Sequence, residues 1–204
     1  MTVARHSTIA KEGRLAILLS LVLTACLYIQ FGPYTLPVAL ITLLLIWLYR
    51  DPDRRISSRP LAIVSPVDGK VVSVEATRDR FLKREALHIA IDMPVGGAFS
   101  LRSVTEGRVM QIWQEQNGHG RCLAIWVQTD EQDDTVLVLR PGRWLKRLSY
   151  QLACGDRLGH GQRFGHILFG NRIDVYLPAS TRSTIAVGQD VKAGCDGIAE
   201  LMQS

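Results

Sequence analysis

The chain holds few residues able to do chemistry, and their spacing restricts what that chemistry is. Asp68 precedes Gly69 in SPVDGKVV (65–72), where a carboxylate acts as a base or closes a turn. GHILFGNRIDVYLP (165–178) reads as a Gly turn feeding a strand, with Asn171 set between Gly170 and Arg172. The Asn171 carboxamide is a poor nucleophile. When asparagine reacts, it closes on its own backbone to a succinimide. His166 lies five residues before Asn171. With His88, His119 and His160 it reads as a turn or surface histidine near its ordinary pKa. Ser180 and Ser183 lack a preceding Gly. Cys154 and Cys195 sit in Gly turns, where lone cysteines are usually inert. The residues form no metal-ligand cluster, no Gly-rich nucleotide loop and no Ser–His–Asp arrangement. The four cysteines (Cys26, Cys122, Cys154, Cys195) form no CxxC pair, so neither a zinc site nor a disulfide framework is indicated, and reduced thiols fit best.

The elements that position these residues begin with an apolar run. No charged residue occurs from Leu15 to Tyr49, a stretch of 35 residues. As one straight helix it would be about 52 Å long, too long for a hydrocarbon core of about 30 Å. FGPYTLP supplies the break through Gly32, Pro33 and Pro37. Two apolar segments remain, 14–31 and 34–49. They predict a transmembrane helical hairpin with both flanks cytoplasmic, because Arg5, Lys11 and Arg14 precede it and Arg50, Arg54, Arg55 and Arg59 follow it. A shallow re-entrant hairpin is the alternative. The run is too long for a signal peptide, and no small-residue cleavage site follows it. The net charge is +5, and the basic residues flank an apolar segment without interleaved aromatics, which excludes a nucleic-acid partner. They suit attraction to anionic headgroups instead.

Beyond the linker RDPDRRISSRP the pattern changes to short β-branched runs. LAIVSPVDGKVVSVEAT reads as strand, turn, strand, with the turn at Val67–Asp68–Gly69. ALHIAIDM, GRVMQIWQ, CLAIWVQT and TVLVLR read as strands, QTDEQDD as a solvated hairpin loop, and GRWLKRLSY as a strand or one short helix. An internal echo pairs Gly155 and Gly161 with Gly188 and Gly194, which predicts tight turns with glycine at positive φ. The expected fold is mostly β: a compact β-sandwich or barrel-sandwich-like domain (61–204). Before it come a cytoplasmic N-terminal tail (1–13), the membrane hairpin (14–49) and a basic linker (50–60).

Five motifs, in order, are similar to those of the phosphatidylserine decarboxylases, in particular their short, membrane-anchored form. YRDPDRR (49–55) resembles that family's FRDPER, and SPVDGKVV (65–72) its SPADGKV. RPGRWLKRL (140–148) is similar to AG..ARRI, FGNRIDVYLP (169–178) to FGSRVDVYLP, and VGQDVKAGCDGIAEL (187–201) to GQxVxAGetvIA. The resemblance covers about residue 47 to the end. It implies a proenzyme that cuts itself at the Gly-Ser bond of the FGS motif. The serine becomes a pyruvoyl group, an electron sink for loss of CO₂ from phosphatidylserine. An Asp and a His of the family assist the cleavage.

Residue by residue, the family Asp matches Asp68, which is present. The pyruvoyl-forming Ser falls on Asn171, after Gly170. The family's M..FNVHVNRAPVSGRV matches MPVGGAFSLRSVTEGRV (93–109) without gaps, so its His falls on Phe99 and its Asn on Leu101, while Arg102 is kept. With Ser and His both replaced, no pyruvoyl forms by the family route. No external cofactor and no metal is expected, and the turn role becomes the better reading of Asp68. Whether the chain is an enzyme then turns on these substitutions. The expectation is a non-catalytic relative in phospholipid metabolism that binds membrane phospholipids, including anionic ones, or a protein partner. That partner is a second copy or a related lipid enzyme. Arg102, Arg143, Lys146, Arg147 and Arg172 are the candidates to meet headgroup phosphate or carboxylate. The alternative is an active phosphatidylserine decarboxylase, producing phosphatidylethanolamine and CO₂ after cleavage behind Gly170.

Overall fold

The computed structural model describes residues 10–50, 54, 56, 61–94, 97–117, 120–141, 147–168 and 170–202, with the backbone alone at residues 11, 116, 117, 120, 121, 141, 147, 170 and 171. It divides into two compact units, Met1–Asp53 and Arg54–Ser204.

The first unit is helical. α1 (Lys11–Phe31) and α2 (Leu36–Leu48) are joined by a 3-10 turn, Gly32–Thr35. Gly32 ends α1 at φ +57, a conformation that suits a residue without Cβ. Pro33 and Pro37 fall in first turns, where a missing N–H leaves no intrahelical bond unmade. Polar groups link the two helices. The Ser20 hydroxyl donates to Thr42 Oγ1 at 3.2 Å, and Thr24 Oγ1 lies 3.0 Å from the same atom. The Ala10 amide donates to the Tyr49 carbonyl at 2.9 Å. Gly13 allows this approach, since an added Cβ would stand 2.2 Å from the Tyr49 ring. Leu15, Leu18, Leu19, Ile41, Leu43 and Leu44 point outward. Counted through the 3-10 turn, the helical stretch Glu12–Leu48 has 37 residues and a peak mean hydropathy of 2.1. By length and composition that is enough to cross a membrane.

The second unit is mostly β, with every strand pairing antiparallel. In chain order it holds β1 (Ala62–Val64), β2 (Gly69–Asp79), β3 (Arg84–Asp92), β4 (Ser100–Arg102), β5 (Gly107–Asn117), β6 (Gly120–Gln128) and β7 (Asp134–Pro141). Then come β8 (Arg147–Tyr150), β9 (Arg157–Leu158), β10 (Arg163–Leu168), β11 (Gly170–Pro178), β12 (Arg182–Ser183), β13 (Asp190–Val191) and β14 (Gly197–Glu200). The main sheet has eight strands in the order β13-β2-β3-β11-β7-β6-β5-β9 and curls into a half barrel. Two three-stranded sheets, β1-β14-β12 and β4-β10-β8, complete the unit.

Side-chain alternation explains the layering. Ile89 and Ile91 of β3, Ile173 and Val175 of β11, and Leu137 and Leu139 of β7 stand opposite one another and form the buried inner face. Each such side chain contributes roughly 1.5–3 kcal/mol on burial. The other face also carries apolar cover. Cys122, Ala124, Val136 and Val138 lie beneath Phe81, Leu82, Trp113, Trp126 and Tyr176. β7 is thus covered on both sides, which is why TVLVLR lacks polar alternation. The echoed glycines all take positive φ, at +93, +63, +91 and +73 for Gly155, Gly161, Gly188 and Gly194. Of the 140–148 motif, residues 142–146 lie outside the described residues, and the part that is described from 147 onward is strand.

Candidate functional site

One end of the main sheet carries Asp68, Asn171 and Arg172 among the residues singled out by sequence. Register places Lys70 of β2 opposite Asp92 of β3, Asp92 opposite Arg172 of β11, and Arg172 opposite Arg140 of β7. Asp68 lies in the turn entering β2, Phe99 immediately before β4, and Asn171 at the start of β11.

Asp68 is held on every side. Arg54 clasps it with both terminal nitrogens: Nη1 bonds Oδ1, and Nη2 bonds Oδ2 at 2.6 Å. The Ala193 amide donates to Oδ1 at 2.9 Å and the Ala98 amide to Oδ2 at 3.2 Å. Burial pushes the carboxyl up. The Arg54 hydrogen bond, the Ala193 amide, the Arg54 charge and the Ala98 amide outweigh it, so the pKa settles below the ordinary 3.8. Two guanidinium and two amide donors fill the directions in which a carboxylate accepts hydrogen bonds. This carboxylate ties Arg54, the β1–β2 turn, the Ala98 backbone and the turn after β13 to one another.

Phe99 is buried, and its carbonyl accepts the Ile167 amide at 2.8 Å. Its ring meets His166 edge-on, with centroids 6.1 Å apart. His166, expected near the surface, is 2% exposed in β10, opposite Ser100 of β4 and Ser149 of β8. The expectation failed because Gly165 and Gly170 read as a turn, whereas Arg163–Leu168 runs as a strand with buried side chains.

Asn171 sits at a register break. Gly170 pairs with Pro141 and Arg172 pairs with Arg140, so Asn171 is the extra residue of a β-bulge. Bulges re-aim the side chains beside them and cluster near functional sites. The Ala98 amide sets Phe99 beside Asp68, and register sets Asn171 next to Arg172, which faces Asp92 and through it Lys70.

Two of the proposed headgroup residues, Arg172 and Arg102, have described side chains, and they lie on different sheets. Arg172 is exposed and donates to Asp92 at 2.9 Å. Arg102 is 2% exposed and donates to the Gly161 carbonyl at 3.2 Å, with Gly194 packed against its stem. Arg143 and Lys146 lie outside the described residues, as does the side chain of Arg147.

Sequence reading missed Arg54 as a partner of Asp68. The motif YRDPDRR held the signal, but an arginine fourteen positions before its carboxylate has no periodic relation to it. It also missed a polar cluster on the outer face. His88 Nε2 lies 3.1 Å from Asp174 Oδ1, and Nδ1 lies 3.3 Å from Glu75 Oε1. Arg140 Nε donates to Asp174 Oδ2 at 2.5 Å, and Tyr176 stacks on the imidazole at 4.8 Å. The hydrogen bond to Asp174 raises the His88 pKa, against burial, with help from the charge of Asp174 and from Glu75. No group of three or more His, Cys, Asp or Glu suited to a metal ion occurs among the described residues.

The chain is thus a mostly β domain preceded in sequence by an apolar helical unit. The phosphatidylserine decarboxylase family profile matches residues 81–199. A phosphatidylserine decarboxylase proenzyme of Nitrosomonas eutropha is 34% identical over 209 residues, covering 96% of both chains. Those of Cupriavidus metallidurans and Burkholderia ambifaria are 33% and 31% identical over 210 residues, the first covering 96% of both chains and the second 97% of this chain and 98% of the relative. This chain belongs to the phosphatidylserine decarboxylase family. No solved structure matches it.

Proposed function

We propose that this chain is a membrane-attached, non-catalytic member of the family that engages phospholipid headgroups or a protein partner. The observation that carries the reading is Asn171 on the β-bulge where the family places its serine. A pyruvoyl group arises from a hydroxyl that attacks the preceding carbonyl and leaves by elimination. Asparagine offers no such hydroxyl, so the residues present do not fit the group. Two further features support the reading. Asp68 already accepts four hydrogen bonds and has no accepting position left for a proton in transit. Phe99 puts an apolar ring at the position of the family's proton carrier.

On this reading the helical unit anchors the chain, and the β unit works on the cytoplasmic face, where the basic flanks hold it. Arg172, exposed beside the bulge, is the described candidate for headgroup phosphate or carboxylate. The partner is a second copy or a related lipid enzyme. The relatives' activity favours the opposing reading, an active decarboxylase, which requires a reactive carbonyl from another source. The test is CO₂ release from phosphatidylserine by the full chain reconstituted in vesicles, beside an active family member. No release above the protein-free background is expected. Release that scales with the amount of chain would overturn the reading.

A further inference from the structure

We propose that the 185–189 turn is a membrane contact of the β unit, with Val187 dipping into the headgroup layer of the bilayer that holds the chain. This rests on the membrane-attachment reading above and adds which surface of the β unit meets lipid.

The first observation is the turn itself. Val187 is 61% exposed, and Ala186 and Gly188 beside it are exposed as well. The turn closes on itself: the Gln189 amide donates to the Ala186 carbonyl at 3.3 Å, and Gln189 Oε1 accepts the Ala186 amide at 3.3 Å. Gly188 stands at φ +91, and an added Cβ there would meet nothing within 4 Å. The turn therefore projects into open space with small apolar side chains at its tip. One exposed valine alone means little.

The second observation is the place of this turn along the chain's tether. Arg50 follows the last helix, and Arg54 is only four residues further on. Four peptide steps reach at most about 14 Å. Arg54 is clasped to Asp68, and its Nη1 also donates to the Ala193 carbonyl at 3.4 Å. The turn is fixed to that same end: Gly188 donates to Val71 at 2.8 Å, Val71 donates to Gln189 at 2.9 Å, and Asp190 pairs with Lys70. The short tether keeps the Arg54 end of the β unit near the bilayer, and the 185–189 turn projects from that end. Lys70 and Lys192 flank it and are exposed, so their stems can follow the valine while their ammonium groups stay at phosphate level. The β2–β3 tip with exposed Lys83 lies at the far end of an 11-residue strand, roughly 35 Å away.

Photocrosslinking separates the two ends. The full chain carrying Val187→p-benzoylphenylalanine, or Lys83→p-benzoylphenylalanine, is reconstituted in phosphatidylcholine–phosphatidylglycerol vesicles, floated and irradiated. Intact mass then reads lipid adducts. The expected result is at least a fivefold excess of adduct at 187 over 83. Ala186 carries the same probe as a second position should the first variant fail to fold. A chain that floats yet yields no excess at 186 or 187 overturns the proposal and leaves membrane attachment standing. A chain that does not float overturns both.

Discussion

Replacing Arg54 by methionine tests the Asp68 clasp. The substitution keeps most of the stem's volume and removes the guanidinium. The partners' side chains are 13% and 15% exposed, so the pair is largely out of water. Removing one partner of a buried pair costs roughly 3–5 kcal/mol, because the remaining charge is left without its counterpart. Asp68 keeps two amide donors, Ala98 and Ala193, which places the expected cost at the lower end, about 3 kcal/mol. At about 2–4 °C per kcal/mol for a domain of this size, the Tm falls by about 6–12 °C. The pH dependence follows from the sign of the shift. The folded pKa of Asp68 is depressed, so its contribution is present above the ordinary 3.8 and is lost as pH falls through the lower folded value. Arg54→Met lacks that acid-side loss. The assay is denaturant unfolding of the detergent-solubilised full chain, followed by near-UV circular dichroism, with Asp68→Asn and the double variant closing the cycle. A cost below about 1 kcal/mol, the range of a solvated surface pair, would refute the reasoning. So would additive single and double variants.

Three further outcomes follow from named contacts. His88 titrates against Glu75, Asp174 and Tyr176, with Arg140 on the far side of Asp174. Its raised pKa stabilises the fold below its ordinary 6.5, and that stabilisation is lost as pH rises through the folded value. Unfolding measured from acid to alkaline pH should show this slope in the parent chain and not in His88→Gln. Gly194→Ala should cost more than Gly188→Ala by unfolding. Both residues hold positive φ, worth about 1–2 kcal/mol to any Cβ, but only at Gly194 does the Cβ press on Arg102, 3.0 Å away. Equal costs would show that Arg102 yields freely. Thr42→Val removes the hydroxyl shared by Ser20 and Thr24 and should weaken helix pairing by about 0.6–2 kcal/mol, read by thermal unfolding in bilayers.

The sequence made the strands legible because short apolar runs such as ALHIAIDM and TVLVLR carry the β-branched side chains that strands accommodate. The Gly pairs were legible because positive φ is a property of one residue type. The break at FGPYTLP was readable for the same kind of reason. What escaped was long-range pairing. Nothing local to YRDPDRR says that Arg54 reaches Asp68, and nothing local to IDVYLP says that Asp174 meets His88 of β3 and Arg140 of β7. His166 was misjudged because flanking glycines signal a turn, while strand pairing with Ser100 and Ser149 decides burial. Arg102 is a headgroup candidate by its guanidinium geometry, and nothing local to SLRSV says that the fold buries it against Gly161 and Gly194. The candidate site was legible as three positions, 68, 99 and 171. The contact of Asp68 with the Ala98 amide, and the bulge at Asn171, depend on pairing between segments far apart in the chain.

The central claim is that Asn171 cannot open the Gly170 bond. Intact mass spectrometry of the purified full-length chain tests it most directly. A single uncut species near 22.7 kDa is expected. Two fragments divided between Gly170 and Asn171 would contradict it and place a working self-cleavage reaction at an asparagine.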